Sequence, residues 1–152
     1  VSTKQLRVSF DIGGVLSKNP ALFRELMRAL DDGGAEVYVL TDMSDRERAG
    51  RLLAANGFHV EPERILCADW NAHGDMCKAV LVQEHGIQLH IDDFPGYSAG
   101  IGTVDGCVSL FTWPDPHAPY YHEDFVPDDA TSVPDGLRRR KPRPRAGGTQ
   151  GG

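Results

Sequence analysis

Asp11 closes the first apolar run of the chain, Val8-Ser9-Phe10-Asp11-Ile12-Gly13-Gly14-Val15-Leu16. A carboxylate at the tip of a buried strand, with two glycines behind it, is suited to be a nucleophile held against a phosphate-sized hollow, because glycine lets backbone approach a ligand closely. Three further features follow in order. Thr41 ends a second apolar run, Val37-Tyr38-Val39-Leu40, Lys78 opens a helical segment, and Asp92-Asp93 end a run that contains Ile87, Leu89 and Ile91. Adjacent carboxylates repel unless a cation lies between them. Phosphoryl transfer to a carboxylate needs a nucleophile, a metal to screen charge, fixed donors for the phosphoryl oxygens and a proton source for the leaving group. Taken singly, Asp11 reads as a strand terminator, Thr41 as a strand end and Lys78 as a solvated lysine. Their shared placement at element ends carries the chemistry.

The elements that must position these residues are legible from periodicity. Leu6, Val8 and Phe10 alternate, which predicts a strand over residues 5–10. Asn19-Pro20 supplies a helix cap and a proline at the first helical position; Leu22, Phe23, Leu26, Met27 and Leu30 then recur at helical spacing, and Gly33-Gly34 stops the helix. Ser44 and Glu47 read as a capping box for a second helix that ends at Asn56-Gly57. Arg64 to Ala68 is a weaker strand, Asp75 reads as the cap of a third helix ending at Gly86, and Val104 to Phe111 is a fifth strand. Strands alternating with single helices imply a parallel sheet covered on both faces. The expected fold is therefore α/β, a doubly wound three-layer sandwich with a mainly parallel five-stranded sheet. Ligands of such sheets bind at the carboxyl ends of the strands, where Asp11, Thr41 and Asp92-Asp93 fall.

The series Asp11, Thr41, Lys78, Asp92-Asp93 resembles the four motifs of the haloacid-dehalogenase (HAD) superfamily, most of whose members are Mg²⁺-dependent phosphatases. The resemblance spans roughly residues 6–112. It implies Asp11 as nucleophile and metal ligand, with the Gly13 carbonyl, Asp92 and Asp93 completing a Mg²⁺ site. Thr41 is implied as a donor to a phosphoryl oxygen, and Lys78 as the cation that neutralises phosphate and nucleophile together. Gly14, Thr41, Asp42 and Lys78 would then face the substrate. Response-regulator receiver domains use similar residue types, but their acidic pair follows the first strand and their Thr comes late, so the order here favours the HAD family.

Two departures shape the expected activity. HAD phosphatases usually carry a second Asp two residues after the nucleophile as general acid and base; here that residue is Gly13. Glycine has no proton to give, and general acid catalysis is commonly worth about 10²–10⁴-fold. The expected substrates are phosphate esters with leaving groups that need little protonation, such as aryl, acyl or anomeric phosphates, unless Asp42 or His73 supplies the proton. The chain also lacks room for a cap domain between Gly14 and Thr41. An uncapped site would be open to a phosphorylated small molecule or a bulky phosphate ester, or closed by a neighbouring subunit or by the segment at 113–135. The alternatives are a catalytically weak or inactive binding module and a nucleic-acid end-processing phosphatase.

Composition bounds the rest. The 152 residues suit one domain, with its body over 1–137. No apolar run approaches the roughly 18 residues of a membrane span. Three scattered cysteines argue against a disulfide framework and for a reducing, cytoplasmic setting. Cys67, His73 and Cys77 raise a zinc reading that needs His59 or His85 as fourth ligand; the plainer reading makes both cysteines element-interior residues. His90, between Leu89 and Ile91, reads as structural. From Pro114 to Pro134 five prolines break the pattern, and Trp113, Tyr120, Tyr121 and Phe125 give 113–135 the character of an irregular packed arm. Residues 138–152, RRRKPRPRAGGTQGG, read as a disordered basic tail. All 22 acids precede residue 137, so the body is more acidic than the formal charge of −6. Such a body repels nucleic-acid backbones, leaving the tail as the one electrostatic route to such a partner.

Overall fold

A computed structural model describes residues 4–112; the arm at 113–135 and the tail at 138–152 lie outside the described residues, as do residues 1–3. The chain alternates strands and helices as its apolar periodicity predicts. Strand β1 is Arg7–Phe10, helix α1 Pro20–Asp32, β2 Glu36–Thr41, α2 Arg46–Ala55 and β3 Ile65–Cys67. A short helix α3, Trp70–His73, precedes α4, Cys77–His85; then come β4, Leu89–Asp92, α5, Pro95–Ile101, and β5, Val108–Phe111. All strand pairs are parallel and the order across the sheet is β3-β2-β1-β4-β5. This is the expected three-layer α/β sandwich, Rossmann-like in topology.

Strand alternation divides the core in two. Val8 and Phe10 of β1 and Val37 and Val39 of β2 join Met27 of α1 and Ala49, Leu52 and Leu53 of α2 on one face. Tyr38 and Leu40 turn the other way, onto Cys77, Ala79 and Val82 of α4 and Tyr97 and Ile101 of α5. Consecutive strands run outward from β1 through β2 to β3, and the chain then returns to place β4 on the other side of β1. Beyond the carboxyl ends of β1 and β4 lies the topological switch point, where the two crossovers diverge, the usual ligand position of such sheets.

Local signals set most boundaries. Asn19 caps α1, its side chain accepting from the Leu22 N–H at 3.2 Å, and Pro20 takes the first helical position. At α2 the expected Ser44–Glu47 capping box does not form. Asp45 is the cap, its Oδ1 accepting from the Arg48 N–H at 3.0 Å; a carboxylate one residue later competes better for the orphan amides. Nor does Asp75 cap α4. It sits in the tight turn Gly74–Met76, and Asp69 caps the short α3 instead. The fifth strand starts at Val108 rather than Val104, because a turn through Gly106 (φ 79°) occupies the interval.

Helix α5 had no sequence counterpart. Its Gly96 and Gly100 lower helix propensity, yet both are packing positions. A Cβ on Gly96 would lie 2.9 Å from Asp75 Oδ2, and one on Gly100 2.9 Å from Met76 Sδ. These glycines let α5 approach the turn that leads into α4. Asp45→Ala is expected to lower stability to urea by about 1 kcal/mol, while Ser44→Ala changes it little; equal effects of the two substitutions would contradict the cap assignment.

Candidate functional site

The acidic residues meet at the switch point. Asp11 follows β1 directly and its backbone N–H donates to the Ile91 carbonyl of β4 at 3.0 Å, which ties the two strand ends together. Asp92 ends β4 and Asp93 follows it. One carboxylate oxygen from each of Asp11, Asp92 and Asp93 lies within 4.8 Å of the others, and all three residues are buried. Among the described residues, this is the one set of three or more metal-ligating side chains that converge.

Helix α4 brings the counter-charge. Lys78, in its first turn, is fully buried and places Nζ 2.8 Å from Asp11 Oδ1 and 2.6 Å from Asp92 Oδ2. Burial alone pushes the ammonium down, but Asp11, Asp92 and Asp42 outweigh it and hold Lys78 above the ordinary lysine value. Burial likewise pushes Asp92 up, and it is overcome by the Lys78 charge and the His90 N–H, which leave Asp92 well below the usual carboxylate range. The Lys78 Nζ also lies 4.6 Å from the centroid of the buried Tyr97 ring, a cation–π contact. Three carboxylates against one ammonium leave two negative charges, the complement of one divalent cation. The donors are oxygens only, and the cluster can hold a metal ion of the hard, oxygen-seeking kind.

The Ile12–Leu16 turn shapes the floor. Gly13 has ordinary extended angles (φ −68°, ψ 127°), whereas Gly14 is left-handed at φ 72°. A Cβ on Gly14 would collide with the Asp93 carboxylate, so glycine is required there twice over, by conformation and by the approach of an acid. Ser17 Oγ accepts from the Gly14 N–H at 2.9 Å and holds the turn.

Thr41 ends β2, beside β1, and is fully buried. Its Oγ1 accepts from the Met43 N–H at 3.2 Å, which leaves its own proton able to be donated. Asp42, half-buried at the lip, accepts from the Tyr97 hydroxyl at 2.9 Å. His73 is exposed at the end of α3. Cys67, His73 and Cys77 do not converge: Cys67 belongs to β3, and the buried Cys77 packs in the α4–α5 core. Burial raises both thiols, the wrong direction for metal-binding thiolates.

Sequence reasoning passed over Ser9 and Tyr97 and read His90 as structural. Ser9 Oγ lies 2.7 Å from His90 Nδ1, and His90 Nε2 lies 3.0 Å from Asp92 Oδ2; all three residues are fully buried. The available signal was two polar residues at inward positions of otherwise apolar core strands. Comparison of the chain with protein-family models, curated proteins and solved structures finds no match. Fold and site together define a Rossmann-like α/β protein with a buried acid–lysine centre at its switch point.

Replacing Lys78 by Met would leave the buried carboxylates uncompensated and should cost about 3–5 kcal/mol at neutral pH. Because the folded Asp92 value is depressed, its contribution is complete above the unfolded value of about 4 and is lost as pH falls through the lower native value. The stability gap between wild type and Lys78→Met, followed by urea unfolding, should therefore narrow below about pH 4. A gap unchanged from pH 7 to pH 3 would show that the ion pairs are not its source.

Proposed function

We propose that this chain is a Mg²⁺-dependent phosphatase of the HAD type, acting through an aspartyl-phosphate on Asp11. The observation that carries this reading is the convergence of Asp11, Lys78, Asp92 and Asp93 at one pair of strand ends, with a net charge that calls for a divalent cation. Asp11, Asp92, Asp93 and the Gly13 carbonyl would hold Mg²⁺, which when bound supplies charge screening for the phosphoryl oxygens. Thr41 donates its hydroxyl proton to a phosphoryl oxygen, and Lys78 offsets the charge that builds on the transferring group. A carboxylate oxygen of Asp11 attacks phosphorus as the bond to the leaving oxygen breaks. Water then cleaves the acyl phosphate, returning the Asp11 carboxylate and releasing inorganic phosphate.

Gly13 leaves no acid beside the leaving oxygen, so that oxygen departs as an anion. Activated esters, with aryl, acyl or anomeric leaving groups, are the substrates this suits, whether small or bulky. Asp42 is the alternative proton source, though one of its oxygens is engaged by Tyr97.

A second reading is favoured by one observation: Asp11 and Lys78 are 0% exposed. A substrate can reach Asp11 only if the surrounding loops part. A chain in which they stay shut would bind a cation and act as a binding or regulatory module without turnover. Retention of nucleic acid through the basic segment at 138–145, the end-processing alternative, would be strongly salt-dependent.

Asp11→Asn is expected to lower hydrolysis of p-nitrophenyl phosphate by at least about 10³-fold, and chelation of Mg²⁺ should abolish it. Wild-type turnover by Asp11→Asn would refute the nucleophile, and the absence of turnover on any phosphate ester despite intact Mg²⁺ binding would select the binding module. Gly13 has angles that any residue can adopt, so Gly13→Asp should raise turnover of alkyl phosphates by about 10²–10⁴-fold while changing aryl phosphates much less. An equal change for both substrate types would contradict the missing-acid account.

A further inference from the structure

We propose that Ser9 and His90 are positioning residues that fix the Asp92 carboxylate so that it can meet a cation through Oδ1 alone. The inference rests on the reading of Asp11, Asp92 and Asp93 as a Mg²⁺ site, and it concerns what stands behind that site. The parallel register places Ser9 directly opposite His90 across β1 and β4. Because side chains two apart share a face of a strand, the same face presents Asp11 after Ser9 and Asp92 after His90. Two polar pairs therefore stand in successive rows down the middle of the sheet, on the side covered by α4, where the opposite face is filled by Val8, Phe10 and their neighbours.

Hydrogen-bond roles in this column follow from chemistry. An ionised carboxylate only accepts, and Asp92 Oδ2 already accepts from Lys78 Nζ at 2.6 Å. His90 Nε2, at 3.0 Å from the same oxygen, must therefore carry a proton. A neutral ring has one N–H, here committed to Nε2. Nδ1 is then bare, and the Ser9 hydroxyl at 2.7 Å donates to it. Both ring nitrogens are used and the tautomer is set.

Asp92 is thereby held from three directions. Oδ2 takes Lys78 and His90, and Oδ1 takes the Phe94 N–H at 2.9 Å. A carboxylate offers roughly four lone-pair sites. The two on Oδ2 are occupied, and one remains on Oδ1. Without His90, Oδ2 would keep a free site, and the carboxylate could turn about its last bond to compete for the cation or for Lys78 in more than one pose. A buried Ser or His left unsatisfied is destabilising, so the pair is stable only as a connected unit.

The test uses the full chain, Mg²⁺ alone as the probe, and two readouts. Calorimetric titration gives Mg²⁺ affinity for wild type, Ser9→Ala, Ser9→Thr and His90→Phe, with thermal unfolding as the check on folding. Long-range ¹H–¹⁵N spectra of the histidine rings give the His90 tautomer. Wild type is expected to show the neutral ring protonated on Nε2. His90→Phe is expected to weaken Mg²⁺ binding by about 10–100-fold, the usual effect of losing an outer partner of a metal ligand. Ser9→Ala should weaken it by less and mix the His90 tautomers, and Ser9→Thr, which keeps the hydroxyl, should restore both readouts. If His90→Phe fails to fold, the Ser9 pair decides the matter. A wild-type ring protonated on Nδ1, or Ser9→Ala matching wild type in affinity and tautomer, overturns the positioning role while leaving the metal site standing. Ser9→Thr as weak as Ser9→Ala overturns it too, since packing rather than the hydroxyl would then matter. A wild-type chain that binds no Mg²⁺ overturns the reading of the site itself and this inference with it.

Discussion

One buried ammonium governs the centre of this molecule. Lys78 sits out of contact with water, between Asp11 and Asp92, against the face of Tyr97. Taking an ion of that kind out of water costs several kcal/mol, and only close carboxylates with good geometry offset it. The requirement fixes much else. Helix α4 must begin where its first turn overhangs the ends of β1 and β4. Those strands must be neighbours, which the β3-β2-β1-β4-β5 order provides. Gly14 must lack a side chain so that Asp93 can close in from the loop side. Asp11 and Asp92 already outnumber Lys78 by one charge, and Asp93 brings the excess to two, which turns a structural ion pair into a cluster able to hold a cation.

Polarity is distributed unevenly between the two faces of the sheet. The face under α1 and α2 is apolar across its central strands. The face under α4 and α5 is apolar at β2 and β3 but polar between β1 and β4, where Ser9, His90, Asp11 and Asp92 line up. A parallel sheet covered on both sides normally shows near-continuous apolar strands. The interruption falls at the switch point, so the stability conceded to buried polar groups is concentrated where the acids meet.

Much of this was legible in the sequence. Apolar runs that end in Asp11, Thr41 and Asp92 announced the strands and where they stop, and Asn19-Pro20 with Gly33-Gly34 bracketed α1 within a residue. The misses have separate physical causes. At α2 two adjacent residues, Ser44 and Asp45, both qualify as caps, and chain geometry chose the second. Helix α5 was masked by Gly96 and Gly100, which are there for close packing that only the folded chain reveals. Ser9 and His90 could not be paired from one sequence, because neither strand alone states its register with the other. Their partnership exists only once β4 is placed beside β1, out of sequential order. Residues 113–152 contribute nothing to this comparison, since the arm and tail read there lie outside the described residues.

The centre is complete in one respect and incomplete in another. What manages negative charge is held by ion pairs and hydrogen bonds: a cationic side chain, an oxygen-rich cluster and a hydrogen-bonded column behind it. For the proposed phosphatase, what would manage the proton of a leaving group is missing, because Gly13 carries no side chain. These two halves of phosphoryl transfer make different demands. Charge stabilisation needs preorganised dipoles in a dry setting, which burial improves. Proton donation needs a group poised between solvent and substrate, which burial impedes. A centre as enclosed as this one, with Asp11 and Lys78 sealed from water, is built around the first demand. In the proposed phosphatase the nature of the leaving group, rather than any acid of the protein, would then set the rate.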